Sequence, residues 1–126
     1  MAKVIIGCSL FVLYLLYSII VYTKGTEFTH TNPAEEQARI TKGKLLFQKH
    51  NCSSCHQLFG LGGYLGPELT SAYSDPQRGE LYMRTFLRAG GQRMPKFGFS
   101  NAEIDALISY LKYVDATAIT YKAVNK

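Results

Sequence analysis

The chain opens on an unbroken apolar run, with no charged residue over the nineteen positions from Val4 to Tyr22. At about 1.5 Å per residue such a helix reaches about 28 Å, close to the hydrocarbon thickness of a bilayer. The run ends in Ile19-Ile20-Val21-Tyr22-Thr23-Lys24 with no small-residue cleavage site behind it. That ending predicts a retained membrane anchor over 1–24, not a removed leader. Cys8 reads as a small apolar helix residue. Tyr14 and Tyr17 stand mid-run, where a phenol prefers a partner to lipid, so that face is expected to pack on another protein.

Past the anchor the pattern changes. Residues 25–33 mix Thr, Gly, Asn and Pro without apolar periodicity and predict a linker. Asn32-Pro33 then opens a helix running to about His50, with Glu35 and Glu36 early and Lys42, Lys44 and Lys49 late, as the helix dipole favours. Ile40, Gly43 and Phe47 fall on one face of it. Gln57 to Pro76 holds Gly60, Gly62, Gly63, Gly66 and Pro67, too many breakers for regular structure, and predicts a loop wrapped over a cofactor edge. Gln77 to Ala89 predicts a second helix, buried through Leu81, Phe86 and Leu87 and closed by Gly90-Gly91. Ser100 with Glu103 makes a capping box before Ile104, Leu107, Ile108, Leu111 and Val114, the strongest helical pattern after the anchor. Nothing alternates with period two over a useful length, and no repeat appears. Residues 34–126 are therefore expected to form one all-α domain.

Size and charge narrow the chemistry. Of 126 residues only about a hundred follow the anchor, enough for one small core that a large apolar cofactor would help to fill. Lys3 aside, 13 basic residues face 9 acidic ones, an excess too small and too scattered to track a phosphate backbone. Nucleic acid is not an expected partner. The three cysteines do not make a disulfide framework, since one lies in the anchor and two share a single C-x-x-C.

Cys52-Ser53-Ser54-Cys55-His56 is the C-x-x-C-H pattern of covalent c-type haem attachment. Two intervening residues in one turn let both thiols reach the haem vinyl groups, and the next residue sends its imidazole to the iron as the proximal ligand. A zinc site would need further ligands, for which the chain offers only His30 and His50, and a dithiol redox motif expects a βαβ setting. For the distal ligand, Met94 lies on a loop after Gly90-Gly91, stiffened by Pro95. Met83 falls within a helix and reads as core, His30 falls in the linker, and His50 reads as a solvated helix end. An iron ligated on both axial sides carries electrons and leaves no place for substrate. Haem c is attached outside the cytoplasmic membrane, which would put the N-terminus in the cytoplasm and the domain in the periplasm, anchored in the inner membrane.

The domain resembles class I cytochromes c, in which the N- and C-terminal helices cross; here Gly43 and Phe47 would meet Tyr110 or Leu111. More specifically, the chain resembles the cytochrome c subunits of bacterial nitric oxide reductases. The resemblance is densest over Asn51-Cys52-Ser53-Ser54-Cys55-His56-Gln57-Leu58-Phe59-Gly60-Leu61-Gly62-Gly63-Tyr64 and Gly66-Pro67-Glu68-Leu69-Thr70. It resumes in Met94-Pro95-Lys96-Phe97 and Tyr110-Leu111-Lys112. Leu61 departs from it, standing where an acidic residue is expected. The resemblance implies a non-catalytic subunit with one covalent haem c, paired with a polytopic membrane subunit that reduces NO to N2O. It also implies a soluble donor, a small cytochrome c or a cupredoxin, and a calcium ion at the subunit interface near Gly62 and Tyr64. The alternatives are a tethered electron shuttle or the cytochrome c subunit of a related haem-copper oxygen reductase.

Overall fold

The computed structural model describes residues 1–24 and 33–118. The expected linker, His30 included, lies outside the described residues apart from Pro33, as does the expected domain's end, 119–126. The chain divides into two compact units, Met1–Asn32 and Pro33–Lys126.

The first unit is a single helix, α1 (Ala2–Lys24), with a mean hydropathy of 2.6 over its 18-residue apolar window. Its large side chains, Leu10, Phe11, Tyr14 and Tyr17 among them, are all exposed. That is far more apolar surface than water tolerates, and a helix satisfies its own backbone in lipid. α1 is long and apolar enough to cross a membrane, and it makes the protein membrane-associated.

The second unit runs α2 (Ala34–Lys49), a 3-10 turn at Cys52–Ser54, the strands β1 (Gln57–Leu58) and β2 (Leu61–Gly62), α3 (Gly79–Ala89) and α4 (Asn101–Thr117). The most extensive packing is between α2 and α4. Gly43 makes it possible: a Cβ there would overlap the Ala106 carbonyl and lie 2.8 Å from Tyr110 Cβ, so the two backbones meet through the missing side chain. One turn on, the Phe47 and Tyr110 rings meet with centroids 5.6 Å apart, tilted by 59°. Leu46 and Phe47 from α2 share one core cluster with Ile104, Leu107, Ile108 and Leu111 from α4, and the domain core is built on this seam. Ile104 and Leu107 are almost wholly enclosed, each contributing about 1.5–3 kcal/mol by burial.

The start of α4 is fixed by its cap. Ser100 Oγ accepts from the Glu103 N–H at 3.3 Å, and the Glu103 carboxylate accepts from the Ser100 N–H at 2.9 Å. The Ser100 N–H first, and then the Ser100 hydroxyl donating to the same carboxylate at 2.8 Å, hold the Glu103 carboxyl below its usual range.

α3 differs from expectation at both its start and its face. It begins at Gly79 because Asp75 takes the preceding donors, accepting from the Gln77 N–H at 2.8 Å and pairing with Arg78 Nε at 2.6 Å in a local turn that competes with helix. Leu81 is 81% exposed. The buried stripe is instead Met83 with Phe86 and Leu87 half-buried, since at 100° per residue Leu81 points away from that set. The glycine-rich stretch also contains a minimal antiparallel hairpin, Gln57 facing Gly62 and Leu58 facing Leu61, too short to leave a period-two signature.

Gly43→Ala is expected to lower unfolding stability by about 3 kcal/mol, at the upper end of overpacking, because the clash is with helix backbone and not with a movable side chain. Lys44→Ala, on the exposed side, is expected to stay within about 0.5 kcal/mol of the parent. Denaturant unfolding of the two variants checks the contrast.

Candidate cofactor site

The end of α2 aims the attachment motif. After His50 the backbone turns left-handed at Asn51 (φ 50°, ψ 42°), a residue type that tolerates this conformation, and enters the 3-10 turn. The Ser54 N–H donates to the Asn51 carbonyl at 2.9 Å and the His56 N–H to the Cys52 carbonyl at 2.9 Å. Cys52, Cys55 and His56 thus leave a single turn, as their spacing predicts.

The glycine-rich loop wraps this turn by its backbone. The Gly63 N–H donates to the Ser53 carbonyl at 2.9 Å and the Gly66 N–H to the Cys55 carbonyl at 2.8 Å. A side chain at Gly62 would overlap the His56 carbonyl, and one at Gly63 the Ser54 carbonyl. The glycines permit this close approach of backbone to backbone. Thr70 locks the loop, accepting from the Phe59 N–H at 2.6 Å while its hydroxyl donates to Glu68.

His56 is oriented from both sides. Its Nδ1 lies 2.8 Å from the Pro67 carbonyl, a contact that requires N–H at Nδ1 and leaves Nε2 as the free lone pair. A Cβ at Gly66 would overlap the ring, 2.6 Å from Nδ1 and 2.9 Å from Nε2, so the backbone lies flat against the imidazole.

These groups face a cavity of about 380 Å³. Cys52, Cys55 and His56 line it from the attachment turn, Met94 and Pro95 from the loop after α3, and Leu65, Leu69, Met83, Phe86, Leu87 and Leu111 supply apolar walls. Both methionines reach it: Met83 from within the core cluster, Met94 half-buried on a loop without helix or strand. His50 also lines the cavity, half-buried, which corrects the expectation of a solvated helix end. Its ring meets Phe97 and Phe99, contacts between distant segments that no local pattern reveals.

The donor set suits haem better than its competitors. Among the described residues no three His, Cys, Asp or Glu side chains group to hold a metal ion. Burial pushes the Cys52 thiol up, the opposite of the lowered value a reactive dithiol nucleophile has. An apolar slot with an imidazole on one wall and a thioether on another fits a flat iron porphyrin, which when bound supplies one-electron chemistry. The Gly62–Tyr64 region offers exposed backbone, with Tyr64 88% exposed, but among the described residues no acidic cluster stands beside it.

Gly66→Ala is expected to push the imidazole off its axis while leaving both thiols available. The ferric holoprotein should then gain high-spin character in its absorption spectrum, and an unchanged low-spin spectrum would show that the Gly66 contact does not orient the ring.

Comparison with known proteins agrees with this geometry. Three relatives, each named as the C subunit of nitric oxide reductase, align over most of the chain. That from Stutzerimonas stutzeri is 29% identical, covering 85% of this chain and 80% of its own length. Those from Halomonas halodenitrificans and Paracoccus denitrificans are 26% and 24% identical, each covering 86% of this chain and 81% of its own. Residues 38–111, which take in most of α2, the attachment turn, the Met94 loop and the first part of α4, match the cytochrome c oxidase, cbb3-type, subunit III family. The chain belongs to that family, and its second unit is a haem-binding cytochrome c domain.

Proposed function

We propose that this chain is the electron-transfer subunit of a nitric oxide reductase. It would carry one haem c through Cys52 and Cys55, with His56 as proximal and Met94 as distal ligand. The observation that carries this reading is the cavity lined by all four residues, in a chain whose relatives over most of its length are named as the C subunit of nitric oxide reductase. An iron held on both sides by the protein exchanges electrons with little rearrangement and offers no site to NO. Reduction of two NO by two electrons and two protons to N2O and water would take place in a polytopic partner. Electrons would arrive from a soluble periplasmic donor, a small cytochrome c or a cupredoxin.

In this reading 1–24 is the anchor, 25–33 the linker and 34–126 the haem domain. The N-terminus is cytoplasmic and the domain periplasmic, at the inner membrane, because haem c is attached outside the cytoplasm. The loop over the attachment turn exposes Phe59, Leu61, Tyr64 and Leu65 together, an apolar surface suited to a permanent partner. A calcium ion near Gly62 and Tyr64 would need carboxylates from that partner, and it belongs to the complex and not to the subunit.

A second reading, the cytochrome c subunit of an oxygen-reducing enzyme, is favoured by the description of the family to which residues 38–111 belong. Purification in mild detergent decides between them. The complex should consume NO, the isolated subunit should accept electrons without consuming NO, and His56→Ala should abolish turnover with the physiological donor. A complex that reduces oxygen and is inert toward NO would transfer the assignment to the second reading. Metal analysis of the same complex should find calcium, and its absence would remove that part of the proposal.

A further inference from the structure

Met94 lies in a segment that little backbone bonding holds. Residues 90–100 contain no helix or strand. The Gly91 N–H donates to the Met94 carbonyl at 2.9 Å, and among the described residues no backbone-to-backbone hydrogen bond involves Pro95 to Phe99. Something else must keep a thioether on iron, since a neutral sulfur is a weak ligand that external bases displace when its loop swings away.

Three aromatic rings close that stretch. His50 stands edge-on to Phe97, centroids 5.2 Å apart at 69°, and edge-on to Phe99, 4.8 Å apart at 86°. Phe97 and Phe99 stack on each other at 5.3 Å and 28°. The edge-to-face arrangement is the attractive one, placing positive ring edge on negative ring face. His50 is itself fixed, capping α2 with its N–H donating to the Leu46 carbonyl at 3.0 Å, two residues before Cys52. The trio therefore joins the segment that would bear the covalent attachment to the segment three residues beyond Met94. Phe99 packs on the main core, so the contact is anchored at both ends.

We infer that His50, Phe97 and Phe99 form an aromatic clasp that holds the Met94 loop closed, with His50 acting as a positioning residue for the distal ligand. The inference rests on Met94 being that ligand, and the test separates the two ideas. In the full-length holoprotein two quantities are read: the methionine-to-ferric-iron charge-transfer band, and the affinity of the ferric form for added imidazole, which competes with Met94. Met94→Ala should lack the band.

His50→Ala should weaken the band and raise apparent imidazole affinity about tenfold, while His50→Phe, which restores a ring, should stay within about threefold of the parent. Phe97→Ala should behave like His50→Ala, and the double variant should fall well short of the sum of the two, since they share the His50–Phe97 contact. Should His50→Ala fail to take up haem, Phe97→Ala carries the same expectation with the attachment segment intact. A merely structural His50 would lower the denaturation midpoint and leave band and affinity unchanged, which overturns the clasp. Fully additive effects overturn it too, as does loss of six-coordination in His50→Ala with its retention in Met94→Ala, which would make His50 the ligand. A parent protein without the band removes the Met94 reading and the clasp with it.

Discussion

The closeness of α2 and α4 at Gly43 is the constraint on which the domain depends. The C-terminus of α2 leads directly into the attachment turn, and the N-terminus of α4 receives the chain directly after the Met94 loop. Holding these helices backbone to backbone therefore fixes the two segments, the attachment turn and the Met94 loop, that line one cavity. Of the segments between them, α3 fills a wall of the cavity, and the glycine loop orients His56. A larger residue at the crossing would act on the cavity without touching it, because close-packed interiors pass displacement on and do not absorb it.

A second constraint follows from wrapping the attachment turn with backbone. Gly62, Gly63 and Gly66 let one strand of chain lie on another, so the His56 plane is set by peptide groups and by the Pro67 carbonyl. Peptide groups cannot change rotamer. An imidazole held in this way would keep its orientation as the proposed ligand, which an electron carrier needs more than it needs affinity. The segment carrying Met94 is built differently, a loop with few backbone bonds beside which the rings of His50, Phe97 and Phe99 pack.

What could be read from the sequence divides along the same line. The capping box at Ser100, the apolar faces of α2 and α4 and the convergence of Cys52, Cys55 and His56 are local in the chain, and local spacing displays them. The pairing of Gly43 with the α4 backbone was legible only through resemblance, since nothing in a lone glycine names its neighbour. Leu81 and His50 were misread because their environment is set by distant residues: apolar character does not say which side of α3 faces inward, and helix-end position does not say that two phenylalanines about fifty residues away will enclose the ring. The hairpin at Gln57–Leu58 and Leu61–Gly62 is held by the turn it wraps, and two-residue strands carry no periodic signal of their own.

The anchor adds a physical reason for a fixed partner. A domain free in solution searches three dimensions, whereas one joined to a membrane helix through a short linker meets a neighbouring membrane protein at a high effective concentration, without any gain in contact energy. Under that condition the docking surface need not be strong. A few exposed apolar side chains beside the cofactor wall, Leu65 among them, suffice to hold an orientation that brings the cofactor edge near the partner. A shuttle has the opposite requirement, since it must leave each partner quickly and gains nothing from being restrained beside one. An apolar helix long enough to cross a membrane and an exposed apolar loop over the attachment turn together suit the permanent pairing proposed above better than exchange between partners.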